Sequence, residues 1–407
     1  MNFKIINGGV TAPKGYLASG IHCGVKEGST KKDLALIYSE VPAKAAGMYT
    51  QNKVKGAPII ISKDHIKDGF ARAIVVNSGN ANTCNGENGL KDAKTMTEAT
   101  ANALNIKTED VLVASTGVIG VPLNIEAIKL GIPKLIDSLS KDGSKNAAQS
   151  IMTTDTFMKE YSIQVNIGGK EISIGAIAKG SGMIEPNMGT MLAFVTTDLA
   201  ISSELLKEAL IETVKVSFNR VTVDGDTSTN DTIFLLANGL AENEEITEKN
   251  DNYYAFVEAL KNVNITMAKM LAKDGEGATK LVECKVIGAL NEQDGEVLSK
   301  SVIKSSLVKT AIFGSDANWG RILCALGYSG AEFNPDTVDV YFESKGGCIQ
   351  VCKSGASIPF SEDLAKQILV KDEILIRVEL HLGDATVSSW GCDLTYDYVK
   401  INGDYRS

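Results

Sequence analysis

The dipeptide Gly189–Thr190 places a hydroxyl residue directly after a residue without a side chain, in the stretch GSGMIEPNMGTMLAFVTTD of residues 180–198. A threonine that begins a chain can act as a nucleophile without histidine, because its own α-amino group accepts the proton of its hydroxyl. Thr190 gains such an amino group only if its hydroxyl attacks the Gly189 carbonyl and the peptide bond is cleaved. A glycine carbonyl is open to this attack, because no Cβ shields it. The alternative interpretation of Thr190 is an ordinary β-branched residue that opens a strand.

Other catalytic patterns are sparse. The three histidines, His22, His65 and His381, lie far apart in the sequence, so a Ser-His-Asp or Cys-His enzyme is hard to assemble. The sequence has neither a Walker-type phosphate loop nor a GxGxxG motif after a strand, so nucleotide binding lacks support. The acidic stretches TVDGDTSTND (222–231) and GSDANWGR (314–321) have no histidine partner and no EF-hand pattern. We interpret them as turn networks that support a site from outside, and we predict neither a metal nor a cofactor.

Composition limits the classes of function. With 407 residues, 44% of them hydrophobic, the chain is long enough for two lobes around a large core. It has 41 Lys and Arg against 50 Asp and Glu, a net charge of −9 and no basic block, which argues against a nucleic-acid partner. The first residues lack the apolar core of a signal peptide, and no apolar run reaches the roughly 18 residues of a membrane span. Seven scattered cysteines fit a reducing compartment, so we predict a cytoplasmic protein.

The elements that must position these residues are a mixture of helices and mostly antiparallel strands. Apolar patterns predict strands at 72–79, 110–116 and 374–382, and hairpins at 161–178 and 337–353. The first hairpin turns at Gly168–Gly169. Helices are predicted at 90–104, 124–140 with a break at 131–133, 202–218 and 253–274. We therefore predict an α/β protein of the α+β type, a layered sandwich of mainly antiparallel sheets covered by helices rather than a doubly wound fold. The hairpin before Gly189 and the strand after it should share one sheet.

Nine motifs, in the same order along the chain, resemble one enzyme family. They are GYLASGIHCGVK, VVNSGNANTCNG, ASTGVIG, MTTDT, KGSGMIEPNMGTML, NRVTVDGDTSTND, DGEGATK, GSDANWGRI and the final YVKINGDYRS. Together they resemble the ornithine acetyltransferases, the bifunctional glutamate N-acetyltransferases of arginine biosynthesis. The likeness covers essentially the whole chain. It implies a self-cleaving enzyme of the N-terminal-nucleophile kind, which changes the balance between the two interpretations of Thr190.

The resemblance assigns the reacting groups. Thr190 matches the nucleophile, released by cleavage of Gly189–Thr190 as the first residue of a second chain. Thr116 and Gly117, in ASTGVIG, match the pair that stabilises the oxyanion through a hydroxyl and a backbone N–H. Without the resemblance, such a dipeptide is more often a simple turn after a strand.

Further residues match contacts to the substrate. The matched positions are Thr153, with Thr154 beside it as the alternative, Lys179, Thr190 itself, Glu276, Asn402 and Ser407. A lysine ammonium suits the carboxylate of an amino acid, and a glutamate suits the free ammonium of ornithine. The chain departs from many relatives in having Gly189 in place of alanine and Ser407 in place of threonine. Both changes keep the required chemistry, a small residue and a hydroxyl.

The resemblance also implies a reaction. Thr190 takes the acetyl group of N2-acetylornithine, ornithine leaves, and glutamate accepts the acetyl group in a ping-pong cycle; acetyl-CoA is a further donor in some relatives. The expected chains, 1–189 and 190–407, remain associated as a heterotetramer of two each. Two alternatives stay open: an N-terminal-nucleophile amidohydrolase or aminopeptidase, in which water resolves the acyl-enzyme, and a self-processing protein that only senses amino acids.

Overall fold

The computed structural model describes residues 3–185 and 191–404, and these form two compact units. The first unit contains the described residues of Met1–Gly180, Pro186–Asn219 and Asp226–Met267. The second contains those of Ser181–Glu185, Arg220–Gly225 and Ala268–Ser407. Each unit therefore draws on residues from both sides of the Gly189–Thr190 bond.

The first unit is built on one large sheet. Its strands, within the described residues, are β1 (Lys4–Ile5), β2 (Tyr16–Ile21), β3 (Leu34–Tyr49), β4 (Phe70–Asn77), β5 (Val111–Ser115), β6 (Lys159–Ile167), β7 (Lys170–Lys179), β8 (Leu192–Thr197) and β9 (Thr232–Ala237). The strand order is β1-β6-β7-β8-β9-β3-β4-β5, and β2 pairs with β3. Most pairs are antiparallel, but β4 with β5 and β8 with β9 are parallel. The predicted hairpin of β6 and β7 turns at Gly168–Gly169, as expected.

Helices cover both faces of this sheet. The helices of this unit are α1 (Ala57–His65), α2 (Gly86–Leu104), α3 (Ile125–Asp137), α4 (Ser144–Ser150), α5 (Ser203–Lys215) and α6 (Asp251–Lys273), of which residues 251–267 belong to it. Side chains alternate between the faces of a strand, so Ile74 and Val76 of β4 join a core that includes α4, and Val75 joins one that includes α2 and α3. Burial on both faces explains the nearly continuous apolar sequence of β4.

The predicted break within α3 is wrong. The helix runs without interruption from Ile125 to Asp137, with Pro133 inside it. The Asn124 side chain caps its first turn by accepting a hydrogen bond from the Ala127 N–H, and Ile128, Ile132 and Leu135 are buried. An internal proline costs a helix about 3 kcal/mol, and the burial of three large apolar side chains is large enough to offset this cost.

The second unit contains a smaller sheet and its own core. The strands are β10 (Leu281–Ala289), β11 (Asp339–Ser344), β12 (Gly347–Lys353), β13 (Ala356–Ser357), β14 (Glu373–Glu379) and β15 (Ala385–Cys392), in the order β13-β12-β11-β14-β10-β15. The helices are α7 (Glu292–Lys304), α8 (Ser306–Phe313), α9 (Trp319–Gly327), α10 (Glu362–Leu369) and α11 (Tyr396–Gly403). Residues from α7, α8, α9 and α10 pack with the strands in one hydrophobic core.

The two units confirm the predicted fold class, because helices cover mainly antiparallel sheets in both of them. The hairpin predicted at 337–353 is present as β11 and β12. The strands on either side of Gly189–Thr190, β7 and β8, pair antiparallel in the same sheet, as predicted. Within the described residues, no helix combines the length and apolar character that crossing a membrane requires.

Candidate functional site

The ends of β7 and β8 face each other. Lys179, the last residue of β7, is the register partner of Leu192, the first residue of β8. Leu192 is in turn the partner of Thr232, which begins β9, and the Thr232 N–H donates a 3.0 Å hydrogen bond to the Met191 carbonyl. Gly189 and Thr190 themselves lie outside the described residues. The chain thus leaves β7 and enters β8 at neighbouring points of one sheet.

Thr116 and Gly117 follow β5 directly and are held against the loop after β4. The Thr116 N–H donates to the Asn77 carbonyl at 3.0 Å. Gly117 has φ +135°, and a Cβ there would lie 2.3 Å from the carbonyl carbon of Gly79, so only glycine fits. The Nζ of Lys179 donates a 3.1 Å hydrogen bond to the Thr116 Oγ1. The structure therefore brings the predicted oxyanion residues to the predicted substrate-binding lysine.

The Asn230 side chain fixes the end of β5 to the chain before β9. Its Nδ2 donates to the carbonyls of Ala81, at 2.5 Å, and Ser115, at 3.0 Å. Its Oδ1 accepts from the hydroxyls of Thr83, at 2.5 Å, and Thr229, at 2.6 Å. This network agrees with the interpretation of residues 222–231 as supporting turns, and one of its hydrogen bonds holds the Ser115 carbonyl, directly before Thr116.

The Asp155 carboxylate accepts hydrogen bonds from three donors in separate parts of the first unit. Its Oδ1 accepts from the Nζ of Lys159 at 2.7 Å and from the N–H of Gly180 at 2.8 Å. Its Oδ2 accepts from the N–H of Thr153 at 3.0 Å. One buried carboxylate thus ties the MTTDT segment to the residue that follows Lys179. The structure places the Thr153 backbone in this network and leaves the choice between the Thr153 and Thr154 side chains open.

Two aspartates of the first unit have displaced pKa values, in opposite directions. Burial by itself would raise the pKa of Asp155, but the ammonium groups of Lys179 and Lys159 and the hydrogen bonds lower this pKa to about 2. Burial raises the pKa of Asp231 well above its usual value, against weaker opposing hydrogen bonds and the Lys179 charge. The Asp231 carboxyl accepts a hydrogen bond from the Met191 N–H, and its Oδ2 is buried with no partner among the described residues. The two carboxyl groups are thus affected in opposite directions: neighbouring charges and hydrogen bonds lower the pKa of Asp155, and burial raises the pKa of Asp231.

Glu276 and Asn402 come together in the second unit. The Nδ2 of Asn402, on α11, donates to the Glu276 Oε2 at 2.7 Å. The Glu276 N–H donates to the Ser181 carbonyl at 2.8 Å. A Cβ on Gly182 would lie 2.3 Å from the Glu276 carboxyl carbon, so this glycine makes room for the carboxylate. The side chain of Glu276 is buried, and Asn402 fixes one of its oxygens.

Asp224 holds the segment before the proposed cleavage site. Its carboxylate accepts from the N–H groups of Met183, at 2.7 Å, and Ile184, at 2.8 Å, and from the Tyr398 hydroxyl at 3.3 Å. Met183 has φ +55°, in the left-handed region that non-glycine residues rarely adopt. The two hydrogen bonds from consecutive N–H groups stabilise this conformation.

The structure thus places the predicted site residues in two groups. The first unit joins Thr116, Gly117 and Lys179, with the Thr153 backbone linked to them through Asp155. The second unit joins Glu276 and Asn402. Gly189, Thr190 and Ser407 lie outside the described residues. The sequence analysis missed Asp155, Lys159, Gly182, Asp224 and Asp231, although all except Lys159 lie within motifs that it quoted, because a turn carboxylate shows its partners only in the fold.

Among the described residues, one group of potential metal ligands contains none of these positions. The group consists of Asp339, Glu379 and His381, in the second unit. The carboxylate of Glu379 forms an ion pair with Arg377, and the Asp339 Oδ2 lies 3.2 Å from the His381 Nε2. Existing partners thus occupy these groups, and nothing in them indicates an ion.

Comparisons with known proteins point to one family. A model described as the ArgJ family matches residues 17–407. An arginine biosynthesis bifunctional protein ArgJ of Caldanaerobacter subterraneus subsp. tengcongensis is 52% identical over 404 residues, covering 99% of this chain and 100% of that protein. The protein of the same name from Bacillus subtilis is 49% identical over 403 residues, covering 99% and 97%. A crystal structure of the Bacillus halodurans ArgJ protein is similar, with a TM-score of 0.50 and 49% identity, over 53% of this chain and 99% of that chain.

The charge of Asp155 predicts a pH dependence of stability. Because its pKa is depressed in the folded state, it stabilises the fold above its unfolded pKa of about 3.9, and this stabilisation is lost as pH falls through about 2. We expect the difference in unfolding free energy between wild type and Asp155→Asn to narrow by about 2 kcal/mol from pH ~5 to pH ~2, measured by urea unfolding. Asp198→Asn is the control with the opposite sign, since burial raises the pKa of Asp198. A difference for Asp155→Asn that does not change with pH would contradict the prediction.

The close approach of Gly182 to Glu276 predicts that Gly182→Ala displaces the carboxylate. We expect the hydrogen bond from Asn402 to be lost and the free energy of unfolding to fall by about 1–3 kcal/mol. A crystal structure of the variant measures the Asn402 to Glu276 distance, and denaturant unfolding measures the stability. Gly327→Ala is the control, because nothing lies within 4 Å of a Cβ at that position. An unchanged distance between Asn402 and Glu276 in Gly182→Ala would contradict the prediction, because the added methyl group would then fit without displacing the carboxylate.

Proposed function

We propose that this chain, a member of the ArgJ family of arginine-biosynthesis enzymes, is an acetyltransferase with Thr190 as its nucleophile. It transfers the acetyl group of N2-acetylornithine to glutamate. The observation that carries the proposal is the 3.1 Å hydrogen bond from Lys179 to Thr116 at the end of β7. It joins a hydroxyl suited to an oxyanion and an ammonium suited to a carboxylate, eleven residues before the proposed nucleophile in sequence. The enzyme is an acyltransferase. What we propose is the identity of its acetyl donor, N2-acetylornithine, and of its acetyl acceptor, glutamate.

Self-cleavage at Gly189–Thr190 is the first step of the proposal. The Thr190 hydroxyl attacks the Gly189 carbonyl, the amide nitrogen leaves as the new α-amino group, and water releases Gly189 from the resulting ester. The products are chains of 189 and 407 − 189 = 218 residues. The solved Bacillus halodurans chain supports this step, because 99% of it corresponds to 53% of this chain, and 218 of 407 residues is about the same share.

Acetyl transfer then proceeds in two half-reactions. The Thr190 α-amino group takes the hydroxyl proton, and the oxygen attacks the acetyl carbonyl of N2-acetylornithine. The Thr116 hydroxyl and the Gly117 N–H stabilise the oxyanion, and ornithine leaves with a proton on its nitrogen. The amino group of glutamate next attacks the acetyl-threonine and restores the free enzyme. Acetyl-CoA is a second possible donor for the same acyl-enzyme.

Both substrates are α-amino acids, so one set of contacts serves them in turn. In this proposal Lys179 and Thr153 bind the acylamino-acid end, and the Glu276 carboxylate, oriented by Asn402, binds the side-chain ammonium of ornithine. Ser407 and Asn402 complete the contacts from the end of the chain. The reaction needs no cofactor. The two chains stay together, as a heterotetramer of two each, and work in the cytoplasm.

Thr190 variants test the nucleophile. We expect wild-type protein to give two chains under denaturing conditions, the second of which begins at Thr190. We expect Thr190→Ala to give one chain of 43.3 kDa without turnover. Thr190→Ser keeps a hydroxyl and should still cleave. Intact mass and N-terminal sequencing measure the products. An uncut wild-type chain that transfers acetyl groups would remove the N-terminal amine from the mechanism.

The products of turnover separate the transferase from the alternatives. We expect acetylglutamate and ornithine in equal amounts from N2-acetylornithine and glutamate, and parallel lines in double-reciprocal plots because the cycle is ping-pong. Chromatography of the products measures this directly. Free acetate formed without glutamate would identify a hydrolase, and ornithine binding without any turnover would identify an amino-acid sensor. Intersecting lines would contradict the acetyl-threonine intermediate.

A further inference from the structure

One side-chain hydroxyl of the second unit is hydrogen-bonded to both chain segments that carry the proposed contacts to the ornithine side chain. The Oγ1 of Thr395 donates a 2.6 Å hydrogen bond to the carbonyl of Gly277, which directly follows Glu276. The same oxygen accepts a 3.2 Å hydrogen bond from the Asp397 N–H, in the first turn of α11. This helix carries Asn402. A single buried threonine thus links the chain beside Glu276 to the helix of Asn402.

The hydroxyl of Thr395 matters to α11 because packing contributes little to this helix. The helix has eight residues, Tyr396–Gly403, and none of them is buried. Helices of this length are marginal on their own, and most helical stability in proteins comes from packing. Thr395 is the N-cap residue, and its oxygen satisfies an N–H group that has no acceptor within the helix. Without this hydroxyl, we expect α11 to lose its defined position.

The orientation of the Asn402 amide depends in turn on α11. Its Nδ2 donates to the Tyr398 carbonyl, one turn earlier in the same helix, at 3.0 Å, and to the Glu276 Oε2 at 2.7 Å. These two hydrogen bonds account for both hydrogens of the amide nitrogen. The helix backbone therefore directs the amide to the carboxylate. A carboxylate has two accepting oxygens, so Glu276 can bind an ammonium group while Asn402 holds its Oε2.

The loop after Glu276 lies against the first turn of α11. Gly277 has φ +69°, and a Cβ there would lie 2.6 Å from the Tyr398 nitrogen and 2.9 Å from the Asp397 Cβ. Only glycine allows so close an approach. The hydrogen bond from Thr395 to the Gly277 carbonyl fastens this contact. The course of the chain at Glu276 and the start of α11 are therefore set together.

We propose that Thr395 is a positioning residue that sets Glu276 and Asn402 relative to each other, so that the carboxylate is oriented for the side-chain ammonium of ornithine. The inference rests on the proposed function, in which Glu276 binds that ammonium. Thr395 then acts on one half-reaction only, because glutamate, the acetyl acceptor, has no side-chain ammonium. It contributes to the selectivity for the donor and not to the chemistry at Thr190.

The test compares kcat/KM for the two substrates of the cleaved enzyme. In a ping-pong cycle, each of these ratios reports the half-reaction of its own substrate. Thr395→Val removes the hydroxyl and keeps the size and branching of the side chain. We expect kcat/KM for N2-acetylornithine to fall about tenfold or more, because the contact between carboxylate and ammonium loses its geometry. We expect kcat/KM for glutamate to stay within about twofold of wild type.

Thr395→Ser and Ser361→Ala are the matched controls. Thr395→Ser retains the hydroxyl, so we expect both ratios to stay within about twofold of wild type. Ser361 is the N-cap residue of α10, in the same unit, and its side chain accepts from the Leu364 N–H. Ser361→Ala removes a cap of the same kind from another helix, and we expect it to change neither ratio. Intact mass of each variant verifies that the chain is cut before the kinetics are measured.

Each outcome supports or rejects the inference. A wild-type enzyme that transfers no acetyl group from N2-acetylornithine rejects the proposed function itself. With an active wild type, any pattern in Thr395→Val other than a fall confined to N2-acetylornithine rejects the role of Thr395 and leaves the proposed function intact. Should Thr395→Val fail to fold, Gly277→Ala decides, because its methyl group separates the loop from α11 and leaves the hydroxyl in place. A fall confined to N2-acetylornithine supports the inference there too, and any other result overturns it.

Discussion

The antiparallel pairing of β7 with β8 is the constraint on which the rest of the site depends. Its last register pair, Lys179 with Leu192, holds the two ends of the intervening segment at one point of the sheet. The parallel pair of β8 and β9 brings residue 231 to the same place, and Asn230 ties that place to the end of β5. Backbone pairing therefore positions Lys179 and the chain around Met191, and the Asn230 side chain holds the end of β5, next to Thr116, against them.

Two carboxylates, the buried one of Asp155 and the half-buried one of Asp224, then fix the chain beyond β7. Asp155 in the first unit and Asp224 in the second both accept backbone N–H groups from the segment that leads toward Gly189. Hydrogen bonds to a charged acceptor are stronger than neutral ones, so each aspartate fixes a short stretch of irregular chain. These hydrogen bonds offset part of the conformational entropy that a glycine-rich segment loses on folding.

Local features of the sequence predicted local features of the fold. The hairpin at Gly168–Gly169 needed only two alternating runs and a turn, and it was confirmed. The predicted break at Pro133 was wrong because the packing of α3, a tertiary effect, outweighs the local preference of proline. The parallel pair of β10 and β14 joins residues about ninety apart, and side-chain alternation carries no information on such partners. The reacting residues came from the family resemblance. Asp155 lies in a quoted motif, but the sequence does not show its hydrogen bond from the Gly180 N–H, which is 25 residues away. The Lys159 partner is Asp155 itself, four residues away, and a Lys at that spacing is not specific enough to predict a buried ion pair.

Each compact unit contains residues from both sides of Gly189–Thr190, so the proposed cut changes how the protein can refold. Before the proposed cut, folding is an intramolecular process whose rate does not depend on concentration. After it, the same sheet is held by two separate chains, and recovery from complete unfolding becomes an encounter between two molecules. The mature protein would then persist through slow unfolding, a kinetic property, rather than through repeated refolding. In this proposal, synthesis as one chain is what keeps assembly of the sheet intramolecular.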